Sequence, residues 1–160
     1  MLNREEIIRL IKEKKLVEGY INLETQATPN GFDLTAASIY EFKGAGALDF
    51  SNKERIVPES KEILPKKIKP QEKFGWWRLK KGAYKIKTNE TVNLPNDLIG
   101  IAFARTSLLR MGAFTQHGVW DAGFKGRGEF VLVVENLKGI KIKQNARVCL
   151  LYTSPSPRDS

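Results

Sequence analysis

Beyond its first fifteen residues the chain is cut into short segments by turn formers: Pro29-Asn30-Gly31, Gly44-Ala45-Gly46, Pro58, Pro65, Pro70, Gly82 and Pro95-Asn96-Asp97. Between the breaks, apolar and polar residues alternate as they do in half-buried strands. Tyr84-Lys85-Ile86-Lys87, Phe130 to Val134 and Ile140-Lys141-Ile142-Lys143 read this way. The exception is the N-terminus. Asn3 followed by Glu6 is a capping-box pattern, and Ile7, Ile8, Leu10 and Ile11 fall at helical spacing, so a helix is expected over 4–15. One helix followed by many short strands implies an all-β (mainly β) fold, a barrel or jelly roll with a helical appendage. Residues 52–73, with three prolines and many lysines, read as a long surface excursion.

At 160 residues the chain suits a single domain with a true core. Its 41% hydrophobic and 28% charged residues are those of a folding sequence. Apolar stretches are too short to span a bilayer. Arg4, Glu5 and Glu6 open the chain without a long apolar block, so no secretory signal is expected. One cysteine, Cys149, excludes a disulfide framework and a cysteine-built zinc cage. These features point to a reducing, cytoplasmic setting. The net charge of +9 comes largely from lysines over 61–87 and 138–147. That balance fits a polyanionic partner, and it fits a solvated basic surface equally well. Phe74-Gly75-Trp76-Trp77-Arg78 has the aromatic-basic texture of a single-strand binder. Adjacent tryptophans cannot share one strand face, however, so one is expected in the core and the other at a subunit contact. No specific nucleic-acid partner is expected.

The last twelve residues, Cys-Leu-Leu-Tyr-Thr-Ser-Pro-Ser-Pro-Arg-Asp-Ser at 149–160, match the conceptual translation of a sequencing-library adapter. On that reading the natural sequence is a single domain over 1–148, truncated at its C-terminus, and 149–160 is a non-native tail without a functional role. A genuine Ser/Pro-rich tail is the other reading.

The chemistry-bearing residues concentrate in 105–126. No Gly-rich loop ends in Lys-Ser or Lys-Thr, which excludes a P-loop. His117 is the lone histidine, which excludes a His-rich zinc site. What remains is Arg105-Thr106-Ser107, then Gly118-Val119-Trp120-Asp121-Ala122-Gly123-Phe124-Lys125-Gly126. A guanidinium fork beside hydroxyls suits phosphate oxygens. A carboxylate among glycines and apolar neighbours can hold a water and accept its proton. A plainer reading also fits: Asp-Ala-Gly as a turn, and Arg105 as a structural ion pair.

In order and spacing these motifs resemble the dUTPase and dCTP deaminase superfamily, on its dUTPase side and in the form found in archaea. Arg105-Thr106-Ser107-Leu108 resembles the family's Arg-Ser-Ser-Leu motif, and Gly118 to Gly126 its Gly-x-x-Asp-x-Gly-Tyr-x-Gly motif. Asn145-Ala146-Arg147-Val148 resembles the start of its Arg-Ile-Ala-Gln-Leu strand, and Thr28-Pro29-Asn30-Gly31-Phe32-Asp33-Leu34 its first motif. The resemblance implies a distorted jelly-roll barrel with an N-terminal helix. It also implies hydrolysis of dUTP to dUMP and pyrophosphate, Mg2+ as cofactor, and a homotrimer whose active sites lie between subunits. Asp121 would be the base that activates water for attack on the α-phosphorus. Phe124 would lie against the sugar and exclude a 2′-hydroxyl. Arg105, Thr106, Ser107 and Arg147 would hold the substrate. The Thr115–Val119 hairpin, with Gln116 and Gly118, would read the base, and Asp33 would organise the metal through water.

The sequence departs from the family at the glutamine expected near Leu150 and in lacking a Gly-rich closing arm. A dCTP deaminase needs a glutamate on the strand after Asp121. The matching position is Val131 or Val133, although Glu129 and Glu135 share that face by parity. dUTP hydrolysis is therefore the expected activity. A dCTP deaminase or bifunctional enzyme is the alternative, and a non-enzymatic basic binding module the distant one.

Overall fold

The N-terminal helix forms where the capping box places it. In the computed structural model, which describes residues 1–156, α1 spans Arg4–Lys14. The Glu6 N–H donates to the Asn3 side chain at 2.9 Å, and the Asn3 N–H donates to the Glu6 carboxylate at 3.1 Å. Lys15, in the left-handed region at φ 54, ends the helix one residue earlier than expected. Ile7 and Ile11 are its buried face.

Strands dominate the remainder. They are β1 (Val17–Glu18), β2 (Phe32–Phe42), β3 (Ser60–Ile63), β4 (Trp76–Leu79), β5 (Gly82–Asn93), β6 (Leu98–Ala104), β7 (Ala113–Gln116), β8 (Lys125–Val134), β9 (Ile140–Lys143) and β10 (Arg147–Pro155). Two short helices, α2 (Leu23–Gln26) and α3 (Thr106–Arg110), interrupt them. The main sheet is antiparallel and runs β6-β10-β2-β5-β8-β7, with β1 on β5 and β3 on β2. An isolated bridge between Gly100 of β6 and Trp120, just past β7, draws the two edges together and nearly closes the sheet. The fold is the expected mainly-β distorted barrel, and near-closure leaves few unpaired edges.

Alternation explains the core. Ile86 and Val92 of β5, Leu132 and Val134 of β8, and, across a register shift between Ala36 and Ser38, Leu34 and Ile39 of β2 turn inward and are at most 1% exposed. Each such side chain contributes about 1.5–3 kcal/mol through its removal from water. β4 and β9 form a separate two-stranded ribbon that buries Trp77, Leu79, Ile140 and Ile142 against the barrel. The tryptophans divide as strand parity requires, Trp77 inward and Trp76 outward.

Two expectations are modified. The 52–73 excursion is largely exposed, with Ile56, Val57 and Leu64 all more than half accessible, but it also contributes β3 to the sheet. Residues 149–155, expected as a tail outside the domain, lie in β10 between β2 and β6. The segment has the right alternation for that place: Cys149, Leu151 and Thr153 are buried while Leu150, Tyr152 and Ser154 face outward. Tail residues 157–160 are outside the described residues. Among the described residues no helix is long and apolar enough to cross a membrane.

Candidate active site

The first chemical cluster forms where β2, β10 and the end of β6 meet. Asp33 lies at the start of β2 and is 3% exposed. Its Oδ2 accepts from Arg147 Nη1 at 3.1 Å and lies 3.6 Å from Arg105 Nε. Arg105 Nη1 in turn donates to the Arg147 carbonyl at 3.3 Å. A β-bulge in β10 between Arg147 and Cys149 breaks the inside-outside alternation, so Val148 and Cys149 are both buried while Arg147 stays outside. Burial pushes the Asp33 carboxyl above its usual range, and the guanidiniums of Arg105 and Arg147 only partly draw it back. The two arginines thus have a fixed base and accessible forks. Thr106 and Ser107 follow Arg105 at the opening of α3, with both side chains exposed.

Beneath this cluster is a second buried carboxylate that sequence reasoning missed. Glu90 is fully buried, accepting from Thr35 N–H at 2.8 Å, Thr35 Oγ1 at 2.7 Å and Gln26 Nε2 at 2.9 Å. Gln26 Nε2 also donates to the Asp33 carbonyl, and Asn89 Nδ2 donates to Thr35 Oγ1 and Asn145 Oδ1. Burial raises the Glu90 pKa, and the neutral donors lower it in part. The network ties β5 to the two segments that carry Asp33 and Arg147. The signal was present in β5: Glu90 shares its parity with the inward Ile86 and Val92.

The aspartate lies at the other end of β6. Trp120 exchanges both backbone hydrogen bonds with Gly100, and Asp121 follows it. Asp121-Ala122-Gly123-Phe124 is a turn closed by the Phe124 N–H on the Asp121 carbonyl at 3.0 Å. Gly123 sits at φ +84 with the Asn96 side chain 2.8 Å from where a Cβ would stand, so only glycine fits there. The turn presents Asp121 to solvent, and its carboxylate has no hydrogen-bond or ion-pair partner among the described residues. Beside it is a cleft of about 280 Å³ lined by His117–Trp120, Phe124, Arg127 and Glu129. Arg127 Nε donates to the Thr88 carbonyl, and the Trp120 ring lies over Gly128 at the Cβ position. His117 packs on Phe130 at 4.2 Å between ring centroids and pairs with Thr115 Oγ1 at 2.7 Å. Burial holds its pKa down to about 4, so the imidazole is neutral at physiological pH.

The structure therefore gathers the sequence-derived residues into two groups. Arg105, Thr106, Ser107, Arg147 and Asp33 make one. Asp121, Phe124 and Gly118 make the other, with Gln116 exposed at the end of adjoining β7. Arg105 lies five residues past the Gly100–Trp120 bridge, roughly 16 Å along an extended strand. One chain does not bring the two groups together. Both plainer readings of the sequence also hold, since Asp-Ala-Gly is a turn and Arg105 is an ion-pair partner. Both arginine contacts of Asp33 are made through its Oδ2. No group of three or more His, Cys, Asp or Glu able to hold a metal occurs among the described residues.

This barrel, with its arginine cluster and free aspartate, is that of a known family. Residues 1–153 match the dCTP deaminase-like family, and the chain belongs to it. Within that family it is similar to two proteins named as probable deoxyuridine 5'-triphosphate nucleotidohydrolases. One, from Archaeoglobus fulgidus, is 43% identical over 151 residues, covering 94% of this chain and 85% of the relative. The other, from Methanosarcina mazei, is 46% identical over 156 residues, covering 96% and 88%. A deoxyuridine 5'-triphosphate nucleotidohydrolase of Methanocaldococcus jannaschii is 36% identical over 125 residues, covering 78% and 76%. In fold the chain resembles the crystal structure of a 2'-deoxycytidine 5'-triphosphate deaminase from Agrobacterium tumefaciens. The TM-score is 0.70 at 17% identity, over 97% of this chain and 48% of that one.

Proposed function

We propose that this protein hydrolyses dUTP to dUMP and pyrophosphate, with Asp121 as the general base. One observation carries the reading: Asp121 is an exposed carboxylate without a partner among the described residues, held by a glycine-dependent turn beside an aromatic-walled cleft. A structural aspartate would be paired; this one is free to hold water. In the reaction Asp121 accepts a proton from water as the oxygen bonds to the α-phosphorus. The bond from that phosphorus to the bridging oxygen breaks, and pyrophosphate leaves. Arg105 and Arg147, with the Thr106 and Ser107 hydroxyls, bind the phosphates and offset their developing charge. Phe124 lies against the deoxyribose, and the hairpin carrying Gln116 and Gly118 contacts the base. Magnesium arrives on the triphosphate as part of the substrate.

The separation of the two groups supports an assembly in which one subunit supplies the arginines and a neighbour supplies Asp121. The outward faces of β6 and β10 offer a surface for it: Phe103 is 58% exposed and stacks edgewise on Tyr152 at 6.0 Å, and Leu109 is 53% exposed nearby in sequence. A homotrimer is the assembly we assign. A reducing cytoplasm suits its single, buried thiol.

The deaminase alternative is weaker at one place. On β8 the positions where a catalytic glutamate would fall, Val131 and Val133, are half-buried valines. Glu129 and Glu135, on the same face, pair with Lys85 at 4.0 Å and Lys81 at 3.6 Å. The test is incubation with dUTP, dCTP and UTP in the presence of magnesium, followed by product analysis. dUMP and pyrophosphate from dUTP alone are expected. Ammonia release from dCTP, or inertness toward all three, would refute the proposal.

A further inference from the structure

The β4–β9 ribbon carries a feature that nucleotide hydrolysis does not use. Its register places Trp76 opposite Lys143 and Arg78 opposite Lys141, and all four side chains belong to the outer face. Directly opposed like charges destabilise a strand pair, so an outer face chosen only for solubility would mix signs. Here Lys143 is met by Glu72 at 3.6 Å, whereas Arg78 and Lys141 have no acidic partner among the described residues. The basic surface continues past the ribbon into a cleft of about 670 Å³, lined by Arg78, Lys80, Lys81, Lys138 and Lys141. Among the described residues, Lys81 alone of these has an acidic partner, Glu135 at 3.6 Å. Lys141 and Lys143 both lie 5.4 Å from the Trp76 ring centroid, and the buried Trp76 Nε1 has no hydrogen-bond acceptor among the described residues.

We infer that this face binds the sugar-phosphate backbone of a nucleic-acid strand, without base specificity. Same-face side chains on a strand recur about every 6.8 Å, close to the step between consecutive phosphates, so a row of cations here can follow a polyphosphodiester. A compact anion would meet at most one or two of them. Trp76, partly exposed on the same face, adds a ring for stacking, as sequence-tolerant strand binders use aromatics. The ribbon lies outside the main sheet, bridged to the preceding segment at Lys66–Trp76, and its outer charges belong to neither group of the candidate active site.

The test is fluorescence anisotropy of a labelled mixed-sequence oligonucleotide with the full chain, over a series of salt concentrations. Binding is expected to weaken steeply with salt, as counterion release requires. Arg78→Glu with Lys141→Glu should lower affinity at least about tenfold and flatten the salt slope by about two. The charge-removing pair Lys80→Gln and Lys138→Gln should do so more mildly. All four positions are exposed, so melting temperature and dUTP turnover should stay unchanged. Reversal of Lys53 and Arg55, on the distant excursion, should have a much smaller effect. The inference is overturned if that control loses as much affinity as the ribbon variants. It is also overturned if binding is absent at low salt, or if the chain ignores the oligonucleotide and sediments with phosphatidylserine vesicles through the same residues.

Discussion

The two ends of β6 hold opposite kinds of acid. At the Arg105 end, Asp33 is buried, raised in pKa by that burial, and clasped by two guanidiniums. At the Gly100 end, Asp121 is exposed and unpartnered among the described residues. The first carboxylate acts on protein groups: it fixes arginines so that their remaining donors face outward at little entropic cost when an anion arrives. The second has no protein group among the described residues to act on, and in the proposed reaction it acts on water. On the proposed reading, anion binding is preorganised at one end and proton transfer at the other, with about 16 Å of strand between them.

Substitutions at each end should break this comparison differently. Asp121→Asn should lower kcat by about 10³-fold while leaving nucleotide affinity and melting temperature nearly unchanged, since the side chain supports no fold contact; steady-state kinetics with calorimetry of dUTP binding checks this. Arg105→Ala should cost about 10²-fold in kcat/KM, and unlike Asp121→Asn it should weaken pyrophosphate inhibition in the same assay. Glu90→Ala should act on stability instead, by roughly 2–4 kcal/mol, because Thr35 N–H and Gln26 lose a buried acceptor. Urea unfolding would show it, and Glu90→Gln should recover part of the loss. The smallest effect is on pH dependence. The His117 pKa is lowered from 6.5 to about 4, so the folded state favours neutral imidazole. Its stabilising contribution is present above pH 6.5 and is lost as pH falls through about 4. Thermal melts between these limits should fall less steeply for His117→Gln than for the parent chain.

The fold was largely legible because its signals are local. Asn3 and Glu6 state a capping box, and parity along Tyr84–Lys87 and Ile140–Lys143 states which side chains turn inward. The residues gathered at Asp33 were legible one by one, but their geometry depends on a bulge at Arg147 that alternation cannot announce. Glu90 escaped notice because a glutamate in a strand is ordinarily read as facing water, and only its pairing with Thr35 and Gln26 makes the inward position tolerable. β10 was not legible for a different reason. Its composition looked foreign, yet strand pairing asks only for alternation and free backbone groups, which Cys149 to Pro155 provide. The distance between the two ends of β6 was invisible in sequence, where Arg105 and Asp121 look like neighbours.

Mixing subunits addresses that distance directly. Arg105→Ala and Asp121→Asn chains, each nearly inactive alone, are unfolded together, refolded at equal ratio and assayed with dUTP. If every site draws its arginine from one chain and its aspartate from another, random assembly restores about a quarter of the parental activity. If the mixture stays as inactive as its components, while each variant still assembles, both groups must serve the same chain and a site shared between subunits is contradicted.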